Sequence, residues 1–219
     1  LSKVKIMWVN YPHMPTGASA TDEVFEQLVA FGKKHQILIV NDNPYSFILN
    51  DHPKSILKVE GAKEVALELN SLSKSFNMAG WRVGMLSGSA KNIDTVLKVK
   101  TNMDSGMFYP VQAGATEALK LDKNWFDSMN AIYKSRRAKI LELAEALECT
   151  PGKEQAGMFI WCKVPEGKTS EEFVDGLLHE HSIFTAPGFI FGDMGECYIR
   201  FSLCTDEKNV DEAIKRIKG

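Results

Sequence analysis

Four apolar residues without a break, Ile37-Leu38-Ile39-Val40, run straight into the polar turn Asn41-Asp42-Asn43-Pro44-Tyr45. A strand with one wet face alternates apolar and polar side chains, whereas a continuous apolar run has to be covered on both faces. Parallel strands flanked by helices meet that demand, so the run restricts the fold to an α/β class. The rest of the first half agrees. Val4 to Val9 reads as a strand ending in Asn10-Tyr11-Pro12-His13-Met14-Pro15-Thr16-Gly17. A helix is expected from about Thr21, with Val24, Phe25, Leu28 and Val29 on its apolar stripe. Val65 to Leu69 and Trp81 to Leu86 read as further strands. Polar clusters thus fall after strands, and in open α/β sheets ligands bind at the carboxyl ends.

The pattern changes after Ser105-Gly106 and Tyr109-Pro110, where one long helical stretch is expected to reach about Glu148. Gly157 to Trp161 reads as a strand, with Phe159 and Trp161 expected in the core. Thr169 and Glu172 form the sequence signature of a capping box, Tyr198 to Leu203 alternates like a strand, and Val210, Ala213, Ile214 and Ile217 mark a closing helix. The expected organisation is therefore an α/β part over residues 1–108 and a helix with a smaller α+β part over residues 109–219.

A net charge of -2 gives no reason to expect nucleic acid or an anionic membrane as partner, and no apolar run approaches the length of a membrane span. Four scattered cysteines without a C-x-x-C pair suit reduced thiols in a cytoplasm. The histidines of His179-Glu180-His181 stand two apart and do not share a helix face, so no metal site is expected. The chain starts with Leu1 and enters an apolar strand at once, as the start of a cut piece would.

The chemistry-bearing cluster is Ser71-Leu72-Ser73-Lys74 with Arg82-Val83-Gly84 eight residues on. A lysine amine can condense with an aldehyde, and hydroxyls with a guanidinium suit a phosphate dianion. Read locally, Asp42 serves equally as a turn former before Asn-Pro, Tyr45 as a packed loop aromatic, and Arg200 as a surface charge alternating with Ile199 and Phe201.

Taken in order, the motifs Asn10 to Ala18, Asp42-Asn43-Pro44-Tyr45, Ser71 to Lys74 with Gly80-Trp81-Arg82-Val83-Gly84, Pro187-Gly188 with Phe191-Gly192, and Tyr198 to Ser202 resemble the class I/II, fold-type I aminotransferases that use pyridoxal 5'-phosphate. The resemblance covers the whole chain, aligned to the C-terminal part of such an enzyme with the N-terminal part absent. It implies a partial, mainly parallel sheet with helices plus a smaller α+β domain. It also implies Lys74 as the cofactor-bonded proton carrier, Asp42 as partner of the pyridine nitrogen, and Tyr45 as donor to the phenolic oxygen. Ser71, Ser73 and Arg82 would hold the phosphate, and Arg200 the substrate carboxylate. The family usually carries Asn-Pro-Thr-Gly where this chain has Met14-Pro15-Thr16-Gly17; methionine cannot donate, so either Tyr45 with a substitute donor suffices or Asn10 or His13 lies close enough to help, and the resemblance implies Asn10 and Met14 beside Arg200 at the substrate.

The implied function is transamination between a small amino acid and a 2-oxo acid by a cytoplasmic homodimer, with the present chain weakly active or inactive alone. Two further functions fit the resemblance. One is lyase or decarboxylase chemistry on the same cofactor. The other is an aminotransferase-like sensor domain of a transcription regulator, whose DNA-reading part would lie elsewhere.

Overall fold

A computed structural model describes residues 1–219, which fall into two compact units, Leu1–Pro12 with Ser19–Phe126 and His13–Ala18 with Asp127–Gly219.

The first unit is built on strands β1 (Ile6–Asn10), β2 (Leu38–Asp42), β3 (Ala66–Ser71) and β4 (Gly84–Gly88), in the order β1-β2-β3-β4. The first three are parallel and β4 is antiparallel to β3, so the sheet is mixed, with one reversed edge strand. Ile39, Val40 and Asn41 at the centre of β2 are all buried, as the unbroken apolar run requires. Helix α1 (Asp22–His35) starts where Thr21 accepts a hydrogen bond from the Val24 N–H and ends in a left-handed Gln36. Asp22 and Glu23 in its first turn and Lys33, Lys34 and His35 in its last complement the helix dipole. Its buried Phe25 and Val29 join Ile37, Ile39, Ile56 and Ala66 in one core cluster. Each such large side chain contributes about 1.5–3 kcal/mol by leaving water.

The helices flanking β3 are short. Helix α2 (Ala62–Val65) precedes β3, and α3 (Leu72–Ser75) is a single turn that follows β3 without a gap. Helices α4 (Ala90–Met103) and α5 (Tyr109–Ala118) complete it. β1 is an open edge on which Trp8 is 62% exposed and Ile6 50%.

The long helix expected from Pro110 to Glu148 is interrupted. After α5, Asp122 accepts hydrogen bonds through its carboxylate from the Asn124 and Trp125 N–H groups and so caps a new helix, α6 (Lys123–Ala146). A side-chain acceptor at that position satisfies the orphan donors of a helix start, which the apolar period does not reveal. The strand expected over residues 81–86 also starts later: Trp81 lies in a 3-10 turn, Arg82 is left-handed at φ 52°, and pairing begins at Gly84.

In the second unit, β5 (Thr150–Pro151), β6 (Phe159–Lys163), β7 (Ala186–Pro187) and β8 (Tyr198–Ser202) form an antiparallel sheet in the order β5-β6-β8-β7. Helix α7 (Ser170–His181) carries the full capping box between Thr169 and Glu172, and α8 (Glu207–Lys218) closes the chain. No helix is long and apolar enough to cross a membrane.

Candidate functional site

Because β1, β2 and β3 run parallel, their last residues, Asn10, Asp42 and Ser71, lie along one edge of the sheet. The antiparallel β4 starts on that same edge, with Gly84 opposite Ser71. Topology alone therefore brings four of the sequence-derived residues together: Asp42, Ser71, Lys74 one turn past Ser71, and Arg82 two residues ahead of Gly84.

Local bonds fix this edge. The Asn10 Nδ2 amide donates to the Asp42 carbonyl at 2.7 Å, which ties the end of β1 to the end of β2. The Asn43 N–H donates to the Leu69 carbonyl at 2.8 Å and extends the β2–β3 ladder into the turn. Beneath it, Asn41 and Glu68 stand opposite each other on β2 and β3 and are both buried. Asn41 accepts from the Tyr11 N–H and donates to Glu68 at 3.1 Å, and the same Glu68 oxygen accepts from the Ile56 N–H at 3.2 Å. One buried carboxylate thus secures two strands and a loop, a satisfied polar network of the kind that fixes a single arrangement.

Lys74 sits in α3 between two anchors, the buried Leu72 and Ser75. Leu72 packs with Met78, Val83 and Ala115, and the Ser75 hydroxyl donates to the Pro44 carbonyl at 3.4 Å. The Trp125 indole donates to the Ser75 carbonyl from the other side. Lys74 itself is half-buried. Ser71 caps its turn, its hydroxyl oxygen accepting from the Ser73 N–H at 3.1 Å while the hydroxyl hydrogen stays a donor. Arg82 is exposed and donates through Nη1 to the Ala79 carbonyl at 2.9 Å. Tyr45 is buried in the turn after β2.

Asp42 is half-buried, and burial pushes its carboxyl above the usual carboxylate range. A carboxylate stripped of part of its water attracts a cationic N–H more strongly. This donor set suits a phosphorylated, aldehyde-bearing pyridine: an amine, a carboxylate raised by burial, hydroxyls and a guanidinium on one edge.

The remaining predicted residues belong to the second unit. Arg200, on β8, faces away from the buried Ile199 and Phe201. Its guanidinium carbon lies 4.2 Å from the Phe159 ring centre and 4.7 Å from that of Phe191, and Nη1 donates to the Met14 sulfur at 3.1 Å. The loop His13–Ala18 that carries Met14 is folded on itself, with the Gly17 N–H donating to the His13 carbonyl at 2.7 Å. Both X-Pro bonds here, Tyr11-Pro12 and Met14-Pro15, are cis. Gly17 has φ +71°, and a Cβ there would stand 2.7 Å from Gln155 Cβ and 2.9 Å from the Ala156 carbonyl oxygen, so only glycine fits. His13, named above as a substitute donor, bonds Thr16 through Nδ1 at 2.8 Å, and burial lowers its pKa.

The profile of the aminotransferase class I and II family matches residues 1–217. The chain belongs to this family. Its members use pyridoxal phosphate, the group that the sheet edge suits. Among curated relatives, an LL-diaminopimelate aminotransferase of Maridesulfovibrio salexigens is 44% identical over 218 residues, covering 98% of this chain and 56% of the relative. One from Aquifex aeolicus is 42% identical, covering 99% and 57%. The apo structure of BacF from Bacillus subtilis superposes with a TM-score of 0.92 at 34% identity, covering 99% of this chain and 59% of that one. The chain thus spans a little over half the length of the proteins it matches. These matches establish family and extent, and they do not bear out the expected placement as the C-terminal part of such an enzyme.

For this family member, reading the sequence missed two residues beside Arg200. Phe159 was expected in the core and Phe191 was noted only as part of a motif, yet both present ring faces to the guanidinium. The alternation of β8 puts Arg200 on the face opposite Ile199, and the β6–β8 register places Phe159 opposite Ser202, diagonal to Arg200. Strand pairing carries the signal for Phe159, which is not visible in either strand alone, whereas Phe191 lies in the 3-10 turn Gly188–Phe191, outside the ladder.

Proposed function

We propose that this chain takes part in pyridoxal-phosphate-dependent transamination, moving an amino group between an amino acid and a 2-oxo acid. The single observation that carries the reading is the shared sheet edge of Asp42, Ser71, Lys74 and Arg82. When bound, the cofactor supplies an aldehyde that condenses with an amine and a protonated ring that draws electrons from the substrate α-carbon. The Lys74 amine would hold that aldehyde and would move a proton at the substrate α-carbon. Asp42 would hold the proton on the ring nitrogen, and its partial burial would strengthen that pairing. Tyr45 would donate to the phenolic oxygen, and Ser71, Ser73 and Arg82 would hold the phosphate. Arg200 takes the substrate carboxylate as a planar fork, with Met14 beside it and Asn10 at the sheet edge.

The 44% and 42% identical relatives, both named LL-diaminopimelate aminotransferases, support LL-diaminopimelate as the first amino donor to try. That amino acid replaces the generic small one expected from sequence. We place the enzyme in the cytoplasm as a homodimer, a reading supported by four free cysteines and by the open apolar edge of β1. The same exposed edge supports weak turnover by the 219-residue chain alone.

The test is a titration of the purified chain with pyridoxal phosphate, followed by the visible band of the lysine-bound cofactor. A saturable band that disappears in Lys74→Ala and weakens in Arg82→Ala is expected. A folded chain whose band survives Lys74→Ala, or that gives none, overturns the assignment. Turnover equal to that of a full-length relative, measured side by side, overturns the expectation of weak activity.

A further inference from the structure

The turn that carries Lys74 is too short to hold itself. Helix α3 has four residues, whereas isolated helices shorter than about 12–15 residues are marginal even in good sequences. Its carbonyls therefore find their donors outside it. The Lys74 carbonyl accepts from the Asn77 N–H at 3.2 Å, and the Leu72 carbonyl from the Met78 N–H at 3.3 Å. The Ser75 carbonyl, next in sequence to Lys74, accepts from the Trp125 indole N–H at 3.3 Å, across 50 positions of chain. We propose that Trp125 is a positioning residue for the Lys74 amine: the first turn of α6 holds the lysine turn against the turn that carries Asp42 and Tyr45. This inference rests on the reading of Lys74 as the amine that meets the cofactor aldehyde.

The contacts that make this clamp all lie within the first unit. Ser75 is buried and engaged on two sides: its hydroxyl donates to the Pro44 carbonyl at 3.4 Å while its carbonyl receives the indole. Phe126 packs between the two turns, its ring centre 5.1 Å from that of Phe47 and 5.6 Å from that of Phe76. Phe47 follows Tyr45 by two residues, and Phe76 follows Lys74 by two. The start of α6 is itself fixed, because the Asp122 carboxylate accepts from the Trp125 N–H at 3.4 Å. Residues 125 and 126 thus touch both the amine-bearing turn and the loop that continues from Asp42.

The consequence follows from which groups each contact fixes. Asp42 and Ser71 end strands, so the sheet ladder places them whatever α6 does. Lys74 lies past the end of β3, and its reach depends on where the α3 turn sits. Leaving a buried carbonyl without its donor shifts an equilibrium on the order of tenfold, and that shift falls on the clamped position of the turn. With the turn clamped in about a tenth of the molecules, capture of an aldehyde by Lys74 weakens about tenfold. Binding through phosphate and ring contacts alone does not.

The experiment uses the 219-residue chain with two probes. Pyridoxal phosphate reports capture by Lys74 through its visible band. Deoxypyridoxine phosphate, which has a methyl in place of the aldehyde, reports phosphate and ring contacts alone through equilibrium dialysis. Trp125→Phe keeps a ring and removes the N–H, and urea unfolding checks that it is folded. We expect it to weaken pyridoxal phosphate capture about tenfold and deoxypyridoxine phosphate binding by less than about threefold. Equal weakening of both probes, or of neither, overturns the inference, because a merely structural tryptophan moves the two together. A parent that captures pyridoxal phosphate but does not bind deoxypyridoxine phosphate overturns it as well. A second measurement needs no variant at position 125. The chain has four tryptophans, so Trp8→Phe, Trp81→Phe and Trp161→Phe in nitrogen-15-labelled protein identify the Trp125 indole N–H by elimination. That resonance should shift saturably with pyridoxal phosphate and stay still with deoxypyridoxine phosphate; movement with neither, or with both alike, sinks the idea. If the parent gives no visible band, or one that survives Lys74→Ala, the reading of Lys74 fails and takes the inference with it.

Discussion

Gly17 and Gly61 share a backbone angle, φ +71°, but not surroundings, and alanine at each separates strain from crowding. At either position a Cβ in the left-handed region costs roughly 1–2 kcal/mol, offset by about 0.4–1 kcal/mol from a stiffer unfolded chain. At Gly61 the added methyl meets only the end of the Lys33 side chain and a Glu64 oxygen, and both can swing away. Gly61→Ala should therefore destabilise by about 0.5–1.5 kcal/mol. At Gly17 the methyl meets Gln155 Cβ at 2.7 Å, the Ala156 carbonyl oxygen at 2.9 Å and Gln155 Cα at 3.0 Å. None of these is the tip of a flexible chain, and Gln155 is held by its own bonds to Trp161 and Gly152. Overpacking of that kind adds about 1–3 kcal/mol, giving Gly17→Ala a total near 2–4 kcal/mol. Urea unfolding of both variants beside the parent, followed by circular dichroism, measures the difference. Equal midpoints for the two variants would refute the argument, since the contacts at Gly17 would then contribute nothing.

Other outcomes follow from the same structure. Burial raises the Asp42 carboxyl, so its ionised form destabilises the cofactor-free fold; the penalty is absent below the ordinary aspartate pKa and complete above the raised one. Asp42→Asn should accordingly be more stable than the parent at pH 7, lose that advantage as the pH falls from the raised pKa to the ordinary aspartate value, and bind pyridoxal phosphate poorly; an advantage independent of pH contradicts this. Glu68→Leu leaves the Asn41 amide and the Ile56 N–H without their shared acceptor and should cost about 2–4 kcal/mol, whereas Glu68→Gln, which keeps an acceptor, should cost markedly less by thermal unfolding. Burial pushes the Cys149 and Cys162 thiols up to about 12, while Cys197 and Cys204 are exposed. A thiol reagent at pH 8 should consume two cysteines quickly and the other two only on unfolding, and four fast reactions would count against the burial.

The parts of the fold that could be read in advance are those whose signal is local. The unbroken run at β2, the start of α1 at about Thr21 and the Thr169–Glu172 capping box each act within a few residues, and each stands where expected. The break between α5 and α6 was hidden because Asp122 is one of many aspartates and only its bonds to Asn124 and Trp125 mark it as a cap. Helix α4 buries none of its residues, so burial did not impress a clear period on it. For the site, the sheet-edge residues were legible because strand ends and turn motifs coincide. The surroundings of Arg200 were not, because they depend on the β6–β8 register and on a contact between residues 186 positions apart.

That separation has a bearing on how the molecule is made. The six residues His13–Ala18 belong to a unit whose other members begin at Asp127. On a ribosome adding about 5–20 residues per second, Met14 leaves the peptidyl centre on the order of 10–40 s before Arg200 is joined to the chain. During that interval the loop has no Gln155, Ala156 or Arg200 to rest against, while β1, α1 and β2 on either side of it can already pair. The smaller unit is therefore not a piece that can be cut out by one break or grafted by one splice. Its polypeptide enters, leaves and returns, and an excised Asp127–Gly219 would lack the strand of chain that seats its own arginine.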